Sequence, residues 1–204
     1  GLHLDDGLVL VSDTRTNAGV DNVSTFSKMH VVESPGERVL AMLSAGNLAI
    51  TQAVFNLLHE GVGVDDTTEP LDVSILLGGQ IFGRPARLYQ IYAAGNFIEA
   101  TPDSPFLQVG EHKYGKPILD RAVQYDMRIE DGIKLALISM DSTLRSNLSV
   151  GLPIDLLVYR KNELKVGLKR RINEDDEYFR MIRDRWSTAL REAYRTIPAP
   201  TWLG

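Results

Sequence analysis

The sequence predicts an α+β fold in which antiparallel sheets carry helices on their outer faces. Two observations support this. Short apolar runs come in pairs joined by turn chemistry, at Asp5-Asp6-Gly7, Ser34-Pro35-Gly36, Gly83-Arg84-Pro85 and Lys161-Asn162, which marks antiparallel hairpins. Stretches of helical periodicity lie between these pairs. Their order lacks the strict strand–helix alternation of a parallel doubly wound sheet.

In chain order, Leu2 to Leu4 and Leu8 to Val11 read as the first two strands, the second running on to Asp13. Met29 to Val32 and Val39 to Ser44 form the next pair. Ser44-Ala45-Gly46-Asn47 then ends a strand and opens a helix whose apolar side is Leu48, Val54, Leu57 and Leu58, with Gly61 as its stop. After an acidic segment, Val73 to Leu77 and Ala86 to Ala94 give another hairpin, and Phe106 to Gly110 a short further strand. Pro117 to Val123 is helical. Ile129 to Leu144 is a stronger helix, with Ile133, Leu137, Met140 and Leu144 on one face. Ile154 to Tyr159 and Glu163 to Leu168 close the strand set. The last helix opens at Asp175-Asp176-Glu177, where the helix dipole favours acid, carries Phe179, Ile182, Trp186, Leu190 and Tyr194 as its stripe, and stops at Pro198 and Pro200.

The bulk properties narrow the function classes. A chain of 204 residues is expected to form a single domain, 1–204, with its own core. Its net charge of −5 gives no electrostatic reason to bind nucleic acid. Cysteine is absent, which excludes thiol catalysis and cysteine metal sites. With no leader-like segment and no apolar run of transmembrane length, the expectation is a cytoplasmic protein with no membrane partner. His3, His30, His59 and His112 lack ligand spacing, so no metal is expected, and no cofactor either.

Two stretches invite a chemical reading. Gly110-Glu111-His112-Lys113-Tyr114-Gly115-Lys116-Pro117 nearly spells a phosphate loop, but Pro117 stands where the hydroxyl for magnesium is needed. The other is a set of strand ends. Asp13 closes one strand, Lys28 opens another, and Gly46 begins a helix whose free amides suit an oxyanion. Taken singly, such an acid and amine are a surface ion pair of little consequence. Taken together, they would place a carboxylate, an amine and an amide donor at one sheet edge.

The words around them resemble the proteasome β-subunit family, and within it the bacterial branch called Anbu. Carrying the resemblance are D-G-x-V-x-x-x-D-x-R at Asp6 to Arg15, then SDTRTNAGVD, MLSAGN, LGGQI, YAAGNFIEA, GEHKYGKPILDR, RINEDDEYF and RDRW, which together span nearly the whole chain. The resemblance implies a four-layer αββα sandwich of the N-terminal-nucleophile hydrolase type. It also implies a threonine peptidase acting on a peptide or amide substrate through an acyl-enzyme, and self-assembly into a ring or open helical homo-oligomer. The rival reading is a catalytically silent scaffold subunit. Carried over residue by residue, Asp13 and Lys28 match the family's aspartate and lysine, Gly46 its oxyanion-hole glycine, and Ser149 the serine of its D-x-x-S-G-G segment. Arg15 is read as structural support. For assembly, Tyr178, Trp186 and Trp202 are candidates, with Trp186 better explained by core packing and Trp202 the better interface residue.

Three departures accompany the resemblance. The family's register places the nucleophilic threonine four residues upstream of Gly1, so about four residues are expected to precede it. The D-x-x-S-G-G aspartate aligns with Ser146, and the family's G-S-G segment loosely with Gly110-Glu111-His112, so the groups around the amine must differ. The family has two helices between Gly46 and Val73 where the sequence shows one, so a helical segment is expected to be missing near Glu69 to Asp72.

Overall fold

The computed structural model describes residues 1–17, 23–60 and 73–203. The expected missing segment near Glu69 to Asp72, with its Pro70–Leu71 junction, lies outside the described residues, as do Gly61 and the acidic stretch after it.

Among the described residues, eleven strands and four α-helices follow one another in the order ββββββαβββααββα, with a final 3-10 turn at Thr201–Leu203. β1 (Leu2–Leu4), β2 (Gly7–Asp13), β10 (Ile154–Arg160) and β11 (Leu168–Ile172) form one antiparallel sheet in the order β1-β2-β10-β11. β5 (Met29–Ser34), β6 (Arg38–Gly46), β7 (Val73–Ile81), β8 (Arg87–Ile91) and β9 (Phe97–Glu99) form the second, in sequence order. β3 (Arg15–Asn17) and β4 (Val23–Thr25) make a small separate hairpin inside what reads from sequence as a loop.

Side-chain alternation explains the layering. On β2, Leu8 and Leu10 point toward the second sheet, where they pack with Leu157, Tyr159, Val39, Ala41, Leu43, Leu76 and Leu88. Val9 points the other way and joins Leu2, Leu4, Ile154, Leu156 and Val158 beneath the helices α2 (Lys116–Ala122), α3 (Ile129–Ser146) and α4 (Glu177–Thr196). α1 (Leu48–Glu60) covers the outer face of the second sheet, where Phe55 stacks on His30 of β5 with ring centroids 3.8 Å apart. The result is an αββα sandwich. Burial of apolar side chains on both faces of each central strand is what stabilises it.

Several local expectations are corrected. Phe106–Gly110 is not a strand; it contributes one bridge, Leu2 to Phe106, and then Gly110 turns at φ 73°. The strand expected at Glu163–Leu168 begins only at Leu168, because the preceding loop is drawn toward the other sheet. Leu164 is buried at φ 48°, its carbonyl accepts from Gly36 N at 3.0 Å, and Val166 N donates to Glu33 Oε1 at 2.7 Å. β9 is three residues long, and its apolar Phe97 and Ile98 are exposed. On α1, among the side chains described (48–56), Thr51 and Phe55 are buried, while the expected Leu57 and Leu58 lie outside the described side chains. The α4 stripe enters the core only through Phe179 and Ile182, with Trp186 packed at the edge. Leu190 and Tyr194, 50% and 61% exposed, continue it into solvent. Asp176 caps α4 by accepting from Phe179 N at 2.9 Å.

Candidate active site

The strands of both sheets end together on one side of the sandwich, where a cavity of about 610 Å³ opens between them. Asp13, Lys28, Gly46 and Ser149 all line it. Asp13, the last residue of β2, is buried, and its position is fixed by pairing with Ile154 across the sheet. Lys28 ends the connection into β5, and its ammonium donates to Asp13 Oδ1 at 2.6 Å. The other carboxylate oxygen accepts from Arg15 N at 3.2 Å and Gly151 N at 3.3 Å. Three donors, one of them the Lys28 ammonium, fix the orientation of this carboxylate.

The loop after α3 is shaped around Arg15. The guanidinium donates to Leu148 O at 2.7 Å. It also lies so close to Gly151 that a Cβ there would sit 2.2 Å from Arg15 Nε, so a side chain at 151 would displace the guanidinium. Arg15 therefore braces the loop carrying Ser149 and Gly151. Ser149 is exposed, and its amide donates to Asn147 Oδ1 at 2.8 Å. Gly46 ends β6 at the cavity rim, opposite Val73. The amides of the following helix are less free than the sequence implies, since Asn47 Oδ1 accepts from Ala49 N at 2.9 Å. The rim amide at Gly46 is the candidate oxyanion donor carried over from the sequence.

Sequence reasoning missed the residues that hold Lys28 in place. Ser27 Oγ donates to Asp155 Oδ2 at 2.8 Å, and Arg171 grips the same carboxylate through Nε at 2.7 Å and Nη2 at 2.9 Å. Burial opposes ionisation of Asp155, but the Arg171 and Ser27 bonds outweigh it and hold the carboxyl below its ordinary range. The only sequence signal was period-two alternation, which puts Asp155 on the inter-sheet face of an otherwise apolar strand. Gln108, Ser12 and Thr16 were missed as well. All three line the cavity with a buried side-chain oxygen that has no partner among the described residues. The Gly1 nitrogen, also at the cavity, donates to Leu107 O at 2.9 Å.

The near-phosphate loop is already occupied by its own side chains. Lys116 pairs with Asp120 at 2.6 Å, and Glu111 Oε1 takes the Lys113 amide at 2.9 Å. Among the described residues no group of three or more His, Asp or Glu is placed to hold a metal ion. Nor is any helix among them long and apolar enough to cross a membrane.

This αββα sandwich, with an aspartate–lysine pair at the open end of its inter-sheet layer, is the fold of proteasome-type N-terminal-nucleophile proteins. The chain matches no family model. Among curated proteins it is similar to the proteasome subunit beta of Methanocaldococcus jannaschii, 25% identical over 195 residues, covering 81% of this chain and 82% of that one. Solved structures lie nearer. A Gly-1 mutant of Anbu from Hyphomicrobium sp. strain MC1 is 48% identical with a TM-score of 0.92, covering 98% of this chain and 97% of that one. Anbu from Yersinia bercovieri is 43% identical with a TM-score of 0.90, at 98% and 97% coverage. The helical assembly of the Anbu complex from Pseudomonas aeruginosa is 44% identical with a TM-score of 0.89, at 98% and 96% coverage. The chain belongs to the Anbu (ancestral β-subunit) family.

Proposed function

We propose that this chain is a threonine-type peptidase or amidase whose nucleophile precedes Gly1 on the β1 strand line, and that it works as a self-assembled cytoplasmic oligomer. The observation that carries the reading is the 2.6 Å contact between Lys28 Nζ and Asp13 Oδ1 inside the inter-sheet cavity. A partly exposed ammonium beside the strand line disfavours a second positive charge, so a threonine α-amine there is kept free to act as base. The amine takes the proton from the threonine Oγ as that oxygen bonds to the substrate carbonyl carbon. The tetrahedral oxyanion is received by the Gly46 amide. The C–N bond then breaks, the departing amine takes the proton from the α-ammonium, and an ester remains. Water, deprotonated by the same α-amine, attacks the ester and releases the acid with the threonine restored. Asp13 orients Lys28, and Arg15 with Ser149 shapes the wall facing them.

Self-assembly is supported by the helical assembly of the Pseudomonas aeruginosa relative. It is also supported by exposed apolar side chains on this chain: Tyr178 on α4, Ile197 just after it, and Trp202 with 79% of its surface exposed. Such a surface is usual for an interface and unusual for a solvated face.

Lys28→Ala tests the mechanism. Its assigned role is electrostatic, so hydrolysis of a fluorogenic peptide that the parent cleaves is expected to fall by about 10²–10⁴-fold, with the oligomer unchanged in size-exclusion chromatography. Survival of parent-level turnover in that variant would sink the mechanism.

A further inference from the structure

Glu111, the second carboxylate of the cavity, has no part in the chemistry above, yet two strand registers converge on it. β1 runs antiparallel to the segment at Pro105 to Leu107: His3 N donates to Pro105 O at 2.8 Å, Leu2 bridges Phe106, and Gly1 and Leu107 exchange both backbone bonds at 2.9 Å. Each step toward the chain start on one side is a step forward on the other, so continuing that register would bring a residue four places upstream of Gly1 level with the turn at Gly110 and Glu111. On the other edge of β1, the pairs Leu2 with Val9 and Leu4 with Gly7 carry that same residue to a place beside Thr14, next to Asp13. The facing segment does not continue as a strand. Gly110 takes φ 73°, where a Cβ would sit 3.1 Å from that of Ala45, and the chain turns at Glu111 along the cavity wall.

Glu111 is also held for a purpose the fold does not need. Its Oε1 accepts from Lys113 N at 2.9 Å and its Oε2 from Asn147 Nδ2 at 2.7 Å, while Asn147 Oδ1 fixes the amide of Ser149. The Lys113 amide first, then the Asn147 side chain, keep the Glu111 carboxyl below its ordinary range, so it is anionic at neutral pH. A carboxylate has about four acceptor positions, so lone pairs remain beyond these two bonds.

We propose that Glu111 is a catalytic residue of this site: it accepts a hydrogen bond from the α-amine of the nucleophile, orienting that amine toward its own hydroxyl and opposing the field of Lys28. Asn147 is the positioning residue that aims Glu111 and ties it to the Ser149 loop. The inference rests on the threonine reading above. Two charges of opposite sign then flank the amine, Lys28 favouring its neutral form and Glu111 its protonated form, so their balance sets the pH at which the base becomes available. The other charged groups lining the cavity are Asp13 at the end of β2 and Arg15 on β3, with the titratable His112 and Lys113 following Glu111 in sequence. The α3 wall contributes only the uncharged Ser139, Met140 and Thr143.

The test is the pH dependence, from 5 to 9, of acylation by a peptidic β-lactone, followed by intact mass on the chain carrying its terminal threonine. Parent, Glu111→Gln and Glu111→Asp are compared. Ring opening adds the whole lactone to the threonine oxygen, so the adduct reports attack without a known substrate. Glu111→Gln is expected to move the acidic limb of the rate to lower pH by about one unit and to lower the plateau by about tenfold. Glu111→Asp is expected to keep the parent's midpoint. A Glu111→Gln profile that overlays the parent's overturns the inference and leaves the threonine reading standing. A parent that forms no adduct overturns both.

Discussion

At the β2 start of the sandwich, Tyr159 and Gln80 lie buried between the sheets with their polar side-chain atoms bonded. Tyr159 OH donates to Gln80 Oε1 at 2.6 Å, and Gln80 Nε2 donates to Arg84 O at 2.6 Å and Asn162 Oδ1 at 2.8 Å. At the β2 end, Ser12, Thr16 and Gln108 each have a buried side-chain oxygen without a partner among the described residues. The same layer, built by the same strands, is closed at one end and open at the other. Leaving a buried polar atom unpaired costs about 1–3 kcal/mol. Three of them in one cavity mark the end kept for a ligand, while the satisfied network marks the end that holds the sheets in register.

The difference between the two ends can be tested by substitution. Asp13→Asn at the open end should produce the largest change. It keeps the shape but removes the charge holding Lys28, so acylation by a β-lactone is expected to slow by about 10²–10⁴-fold with the melting temperature little changed. Tyr159→Phe at the closed end should do the reverse. It strands Gln80 Oε1 and is expected to cost about 1–3 kcal/mol in urea unfolding, with acylation at the parent's rate. Comparable loss of activity in both variants would erase the distinction.

Asp155 lies between these cases, because it braces the sheet and also anchors the Lys28 connection through Ser27. Its folded pKa is depressed, so its stabilisation is present above the unfolded value near 3.9 and is lost as pH falls through the folded one. Asp155→Asn is expected to lower stability at pH 7 by about 1–2 kcal/mol and to flatten the acid side of the stability profile, read by thermal melts from pH 3 to 7. The smallest effect is expected from Gln108→Leu. It removes an unpaired acceptor, so stability should hold or rise by less than about 1 kcal/mol while acylation slows. An unchanged acylation rate would separate Gln108 from the open end's function.

The sequence makes the frame of this molecule readable and leaves its connections obscure. β2, β5, β6, β7 and β10 are legible because each alternates or saturates with apolar residues and is bounded by turn chemistry. α3 and α4 are legible from their period. β9 is three residues long with Phe97 and Ile98 exposed, so it is too short to show an alternating buried face. The displaced β11 follows from Leu164 and Val166 bonding to the opposite sheet, a long-range preference that local propensity does not encode. Asp13, Lys28, Gly46 and Ser149 stood out as strand and loop ends, and the family resemblance gave them roles. Their convergence on one cavity depends on sheet order, which no local pattern fixes. The Ser27–Asp155–Arg171 anchor and the Glu111–Asn147–Ser149 chain join residues more than a hundred or some thirty-odd positions apart, so each member looks like an ordinary polar residue in the sequence.

The central claim is that the open end of the sandwich holds a threonine whose own amine is its base. The most direct measurement is treatment of the chain with a peptidic β-lactone, followed by tandem mass spectrometry to locate the adduct. The account predicts one adduct per chain, on a terminal threonine four residues before Gly1. An adduct confined to internal serines, threonines or lysines, or no adduct on a chain with that threonine free, would contradict it.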